Sequence, residues 1–170
     1  SGTVFVSYTD TYYETINKLL KDKGYYTFSM HANKASMWNR AVAHESLGYD
    51  TFYSQRYFNI PDSTDDPEWI GLGLSDKEFF KQSEAILENI ETNYDKYMGT
   101  MITLSNHTPW DDTEKYGDFD LTAYVERYNE KTGKTELIAD TYLEDSKMGN
   151  YLKGTHYTDE ALGEFVNYVK

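Results

Sequence analysis

The residues between His31 and Arg40 include three basic or potentially basic side chains and no acidic one. His31, Lys34 and Arg40 occupy this stretch, although the whole chain has 16 Lys and Arg residues against 29 Asp and Glu residues. A forked guanidinium and an imidazole are suited to bind the oxygens of a phosphate group. If a helix begins at Ser36, the free N–H groups of its first turn add further donors. The alternative is that Trp38 packs in the core and Arg40 forms a surface ion pair, and spacing alone favours this alternative.

A second candidate is His107, which follows an apolar run and precedes a loop marked by Pro109. An imidazole in this position can donate a hydrogen bond to a substrate oxygen or transfer a proton near neutral pH. An ordinary loop histidine fits the position equally well. His44 and His156 fall within predicted helices beside acidic residues, and we interpret both as structural or solvated.

The sequence contains no recognisable metal site or nucleophile. A His-x-x-x-His pattern, an EF-hand loop, an Asp-His pair and a Gly-x-Ser-x-Gly elbow are all absent. The chain has no cysteine, which excludes thiol chemistry and disulfides. We interpret the acidic run as a solvated loop and not as a calcium site; it comprises Asp111, Asp112, Glu114, Asp118 and Asp120. No catalytic side chain and no metal ligand is therefore predicted in this chain.

Length and charge restrict the possible partners. With 170 residues, of which 16% are aromatic, the chain has enough core-forming material for one folded domain spanning residues 1–170. The formal net charge of -13 repels nucleic acids and anionic membrane surfaces, so DNA and RNA are excluded as expected partners. No run approaches the ~20 apolar residues of a membrane helix. Any membrane contact is expected through segments outside this sequence.

Hydrophobic periodicity alternates between strand and helix along the chain. Buried strands are predicted at 25–30 and 97–104, and helices at 11–23, 36–47, from Ser75 onward and over 146–169. The helix at Ser75 has a capping box, Ser75-Asp76-Lys77-Glu78. Alternation of this kind predicts an α/β fold with a mainly parallel sheet flanked by helices. Ligands bind such sheets at the carboxyl ends of the strands, where His31 and His107 fall.

A β-hairpin is predicted between the last strand and the last helix. Segments 121–128 and 135–142 flank a polar turn that contains Gly133. We interpret residues 121–142 as a surface insertion in the domain.

Several short motifs, in order and spacing, resemble those of lipoteichoic acid synthases, which belong to the sulfatase and alkaline phosphatase superfamily. The motifs are Lys23-Gly24-Tyr25, His31-Ala32-Asn33, Trp38-Asn39-Arg40, Ser46-Leu47-Gly48-Tyr49-Asp50, Gly73-Leu74-Ser75-Asp76-Lys77, Leu104-Ser105-Asn106-His107 and His156-Tyr157-Thr158-Asp159-Glu160-Ala161-Leu162. The resemblance covers most of the chain and implies a partial, layered fold of the sulfatase and alkaline phosphatase type.

The resemblance also implies a binding pocket. The residues that match the family's pocket for a glycerol-phosphate head group are His31, Trp38, Arg40 and His107, with Asn33 beside them. The chain departs from the family pattern at Ala32, where Gly is frequent, and at Met37, where Phe is frequent. These two departures affect the expected substrate preference more than the identity of the pocket.

The family's catalytic threonine and one metal-binding glutamate precede the matching region, and its Asp-His metal pair follows it. The resemblance therefore implies a central portion of an extracellular catalytic domain from a membrane-anchored protein of a Gram-positive-type cell envelope. The complete enzyme is expected to use a divalent metal, manganese in type, and to move glycerol phosphate from phosphatidylglycerol to an envelope polymer. This portion alone is expected to be inactive and to bind no metal.

Three alternatives remain open at this stage. A sulfatase or a phosphoethanolamine transferase would share the same scaffold but use a different nucleophile segment. A non-catalytic module that binds anionic glycopolymers would use the same basic residues without turnover.

Overall fold

The computed structural model describes residues 4–8 and 11–170. The helices are α1 (Val4–Ser7), α2 (Ile16–Lys21), α3 (Arg40–Ser46), α4 (Asp76–Asn93) and α5 (Lys147–Tyr168). The strands are β1 (Tyr26–Met30), β2 (Thr51–Tyr53), β3 (Trp69–Ile70), β4 (Gly73–Leu74), β5 (Tyr97–Met101), β6 (Ala123–Asn129) and β7 (Lys134–Asp140). Short 3-10 turns lie at Met37–Asn39, Gln55–Tyr57 and Thr113–Tyr116.

A parallel sheet in the order β2-β1-β5 forms the centre of the fold. The register aligns Met30 at the end of β1 with Tyr53 of β2 and Met101 of β5, so all three strands end at the same edge. Four of the five β1 residues are buried, because helices cover both faces of a parallel sheet. The α/β class and the parallel sheet predicted from the sequence are confirmed.

Helix α4 begins where the capping box predicted. The Ser75 hydroxyl accepts a hydrogen bond from the backbone N–H of Glu78 at 3.2 Å, which satisfies one of the free donors of the first turn. Helix α4 contributes Phe79 to the main core, and the stacked rings of Phe80 and Phe165, with centroids 4.6 Å apart, join it to α5. Helix α5 agrees with its prediction to within one residue at each end.

Three predicted element boundaries are wrong. The helix expected over 11–23 is only Ile16–Lys21, and it begins after Thr15, whose side chain caps it. The helix expected from Ser36 begins at Arg40, because the preceding turn places two residues at positive φ. The strand expected over 97–104 ends at Met101, and it is partly exposed since β5 lies at the edge of the sheet.

The sequence also missed β2 and the two-residue pair formed by β3 and β4. Three residues are too few to produce a periodic signal, and β2 is only Thr51–Tyr53. By contrast, β6 and β7 pair in antiparallel as the predicted hairpin, from Ala123 opposite Asp140 to Asn129 opposite Lys134. Its origin as an insertion remains a prediction. Within the described ranges, no helix combines the length and the apolar character that crossing a bilayer requires.

Candidate functional site

His31 is fixed at the carboxyl edge of the sheet by both neighbouring strands. It follows β1 directly and is 1% exposed. Its backbone N–H donates to the carbonyl oxygen of Tyr53 at 2.9 Å, and its Nδ1 lies 2.8 Å from the carbonyl oxygen of Ile102. Because a carbonyl only accepts, Nδ1 carries the proton and Nε2 remains free to accept a hydrogen bond. Burial lowers the pKa of His31 below its ordinary 6.5, so the ring is neutral at neutral pH.

Arg40 presents a buried guanidinium nitrogen that has no partner. Its Nη1 is inaccessible to solvent and makes no hydrogen bond, and none of the ion pairs found within residues 4–8 and 11–170 includes Arg40. The expectation of a surface ion pair is therefore not supported by these contacts. Arg40 is also close enough to His31 for its charge to contribute to the lowered pKa of that histidine. A buried donor without a partner is costly, and a bound anion would satisfy it.

The turn before Arg40 does not form the helical anion site that Ser36 suggested. Ser36 makes no capping hydrogen bond, and Trp38 and Asn39 have φ angles of 56° and 54°. Such angles are strained for residues with a side chain, and they recur at functional sites. Trp38 is 56% exposed, so the expectation that it packs in the core is wrong. Its indole is instead available on the surface, two residues before Arg40.

His44 lies one turn beyond Arg40 on α3 and is buried. Its Nδ1 is 2.6 Å from the Ser29 hydroxyl, and its ring stacks on Phe52 with a centroid separation of 4.2 Å. Burial, followed by the charges of His31 and Arg40, lowers the pKa of His44 to about 4. The interpretation of His44 as structural agrees with these contacts. The spacing of four residues from Arg40 was the one signal in the sequence that could have linked it to the site.

His107 lies farther from the sheet than the sequence indicated. It follows the end of β5 by a loop, and its side chain is exposed. Its Nδ1 is 2.6 Å from the carbonyl oxygen of Thr108, which leaves Nε2 free. The described residues provide no hydrogen bond that joins either His107 or Trp38 to His31 or Arg40.

Asn33 uses its side chain within the loop itself. Its Oδ1 accepts from the backbone N–H of Lys34 at 2.6 Å, and its carbonyl oxygen accepts from Gln55 at 2.9 Å. Lys34 is exposed. Asn33 therefore fixes the turn between β1 and α3, and its amide nitrogen is the part that remains for a ligand.

A cavity of about 550 Å³ lies beside His44 and not among the residues predicted from the sequence. Its lining includes Ala35, Ala41, His44, Phe52 and Arg56. Among residues 4–8 and 11–170, no three His, Cys, Asp or Glu side chains converge on a possible metal position. Arg40 is suited to bind an anion and His31 Nε2 to accept a hydrogen bond from a hydroxyl, but the described residues do not assemble a metal site.

A protein-family model described as Sulfatase matches residues 3–170. The chain is 30% identical over 170 residues to the lipoteichoic acid synthase-like protein YvgJ of Bacillus subtilis (strain 168), covering 100% of this chain and 23% of that protein. It is 30% identical to the lipoteichoic acid synthase of Staphylococcus aureus (strain USA300), covering 99% of this chain and 22% of that protein. The chain therefore spans less than a quarter of these relatives.

The chain is also similar to a solved structure of a lipoteichoic acid synthase. The lipoteichoic acid synthase LtaP from Listeria monocytogenes superposes with a TM-score of 0.77 and 29% sequence identity, covering 99% of this chain and 36% of that chain. A protein of the alkaline phosphatase superfamily from Vibrio parahaemolyticus, 22% identical, shares the fold with a TM-score of 0.59.

Proposed function

Because the chain belongs to the sulfatase family, we propose that it is the substrate-side portion of a metal-dependent phosphoglycerol transferase resembling lipoteichoic acid synthases. The observation that carries this proposal is the buried, unpartnered Nη1 of Arg40, whose positive charge contributes to the lowered pKa of His31 at the carboxyl edge of the sheet. Relatives over the whole chain carry the name lipoteichoic acid synthase. A glycerol-phosphate head group supplies both the anion and the hydroxyls that such a site would bind.

Each site residue has a role that its contacts allow. Arg40 donates from its guanidinium to the phosphate oxygens, which a forked donor binds better than a point charge. His31, neutral and with Nε2 free, accepts a hydrogen bond from a glycerol hydroxyl. Trp38 covers the carbon atoms of the head group with its exposed ring, and the Asn33 amide donates to an oxygen.

His107 lies on the loop that follows β5. Its exposed Nε2 accepts from a hydroxyl when the ring is neutral and donates to a phosphate oxygen when the ring is protonated. Because this ring is held only at Nδ1, it can adjust to the ligand. We assign it to the head group on these grounds.

The nucleophile and the metal ligands belong, in this proposal, to parts of the complete enzyme outside this chain. A divalent metal, manganese in type, would supply charge neutralisation and an activated nucleophile there. The described residues of this chain do not fit a metal, so their part is to bind and orient the phosphate and to exclude water from it.

The proposed donor is phosphatidylglycerol, and the acceptor is a growing glycerol-phosphate polymer of the cell envelope. The reaction then takes place on the extracellular face of a Gram-positive-type membrane, to which the complete protein is anchored. The remainder of the catalytic domain is the protein partner of this chain.

Turnover by the complete protein tests the proposal. The purified enzyme is supplied with manganese and incubated in three separate reactions, with a fluorescent phosphatidylglycerol, with the matching phosphatidylethanolamine and with an aryl sulfate. We expect diacylglycerol to be released from phosphatidylglycerol alone. Release from phosphatidylethanolamine or hydrolysis of the sulfate would assign the chain to another reaction, and binding without any turnover would assign it to a non-catalytic module.

A further inference from the structure

Asp76 is a buried carboxylate that takes part in no ion pair among residues 4–8 and 11–170. It is the first residue of α4 and is 0% exposed. A carboxylate in such a place is costly unless hydrogen bonds replace its hydration. The positive end of the α4 dipole offsets part of this cost. The hydrogen-bond partners of Asp76 therefore show which part of the fold this carboxylate stabilises.

These partners lie on the loop that follows β5 and on α5. Oδ1 accepts from the backbone N–H groups of Leu104 and Ser105, both at 2.9 Å. The Asp76 backbone N–H donates in return to the Ser105 hydroxyl at 2.8 Å. Oδ2 accepts from the Thr158 hydroxyl at 2.9 Å. One side chain thus fastens residues 104–105 to two helices.

Two further side-chain hydrogen bonds hold this loop as far as Asn106, the residue before His107. The Tyr116 hydroxyl donates to the Ser105 carbonyl oxygen at 3.1 Å. The Asn106 amide nitrogen donates to the Thr155 hydroxyl at 3.2 Å. His107 itself is exposed and is held by its ring only through Nδ1. The loop is therefore fixed and presents an imidazole whose Nε2 is available to a ligand.

We propose that Asp76 is a positioning residue for the head-group site and acts through the loop that carries His107. The inference rests on the proposed function and extends it to a residue that contacts no substrate. The other end of the same segment contacts His31, whose Nδ1 donates to the Ile102 carbonyl oxygen at 2.8 Å. Residues 102–107 thus connect both histidines, and Asp76 fixes the middle of the connection.

A double-mutant cycle in the complete enzyme tests this role. Asp76→Ala is expected to raise the KM for phosphatidylglycerol about tenfold, because His107 loses its position. His107→Ala should then add less than about twofold, whereas Arg40→Ala should keep its full effect. Asp76→Asn retains a carbonyl oxygen for both N–H donors and should stay close to wild type. Ser83→Ala is the control, since the buried Ser83 hydroxyl bonds only within α4.

Hydrogen exchange measured by mass spectrometry distinguishes positioning from general support of the fold. In Asp76→Ala, the segment 104–107 should lose protection while β1 and α4 keep theirs. If Asp76→Ala does not fold, Ser105→Ala takes its place in the cycle. This variant removes the hydrogen bond that the Asp76 backbone N–H donates to the Ser105 hydroxyl.

The outcomes separate the two proposals. The wild type can be active while His107→Ala raises KM by the same factor in the wild-type and the Asp76→Ala backgrounds. That result would overturn the positioning role. Loss of protection throughout the domain would do so as well. A wild type that leaves phosphatidylglycerol intact would instead overturn the proposed function.

Discussion

The imidazole of His31 is tied to the segment that leads to His107, because its Nδ1 donates to the carbonyl oxygen of Ile102 at 2.8 Å. This bond selects the tautomer of His31 and leaves Nε2 as an acceptor. It also joins the end of β1 to the chain that follows β5. The position of one proposed ligand-binding histidine therefore depends on the loop that carries the other.

Arg40 should matter far more to activity than Lys34. In the complete enzyme, Arg40→Ala is expected to lower kcat/KM for phosphatidylglycerol about a hundredfold, because the charge-assisted contact to phosphate is lost. Arg40→Lys keeps the charge but not the fork, and should recover only part of this loss. Lys34→Ala should stay within about twofold, since its side chain is exposed. Equal activity of Arg40→Ala and wild type would remove Arg40 from the site.

The folding stability of the domain should depend on pH through His44. Its pKa is about 4 in the folded protein against an ordinary 6.5, so the unfolded state binds the proton more tightly. The stability is then fully present above about pH 6.5 and decreases toward pH 4, by roughly 3 kcal/mol over the window. Urea unfolding of wild type and His44→Gln at about pH 7 and about pH 5 measures this difference. The same pH dependence in both proteins would contradict it.

Ser75→Asp should destabilise the protein, although Asp usually caps a helix as well as Ser does. Besides capping α4, its hydroxyl donates to Glu68 Oε2 at 2.6 Å. Ser75→Asp would place a second carboxylate against Glu68, so we expect a loss of about 2 kcal/mol, at least as large as that of Ser75→Ala. The matched control is Ser146→Asp, because Ser146 caps α5 and its hydroxyl donates to a backbone carbonyl. A higher melting temperature for Ser75→Asp than for Ser75→Ala in thermal unfolding would contradict the expectation.

Gly99 is required by the ring of Phe28. A Cβ at position 99 would collide with that ring, which is 2% exposed and lies in the main core. Gly99→Ala should therefore cost about 1–3 kcal/mol of unfolding free energy. Gly163→Ala is the control, because α5 has open space there and Ala favours a helix by up to about 1 kcal/mol. The prediction fails if denaturant unfolding finds both variants equally stable.

The sequence predicts the parts of the fold that depend on local patterns. The capping box placed α4 within one residue, and the apolar run 25–30 placed β1, because both signals are contained in a few neighbouring residues. The start of α3 was wrong because the strained turn at Trp38 has no sequence signature beyond ordinary residue types. Strand β2 is too short to produce a period.

The site was only partly accessible from the sequence. Basic residues in an acidic chain indicated His31 and Arg40, but the orphaned Nη1 is a property of packing. The stacking of His44 on Phe52 joins elements that are separate in sequence and gave no signal. Asp76 was visible only as part of a helix cap, since its partners at Leu104 and Thr158 are distant along the chain.

A crystal structure of the complete protein with bound glycerol phosphate tests the central claim most directly. The account predicts a phosphate oxygen within about 3 Å of a guanidinium nitrogen of Arg40 and a glycerol hydroxyl at a similar distance from His31 Nε2. A ligand bound elsewhere, with Arg40 Nη1 still unpartnered, would contradict it.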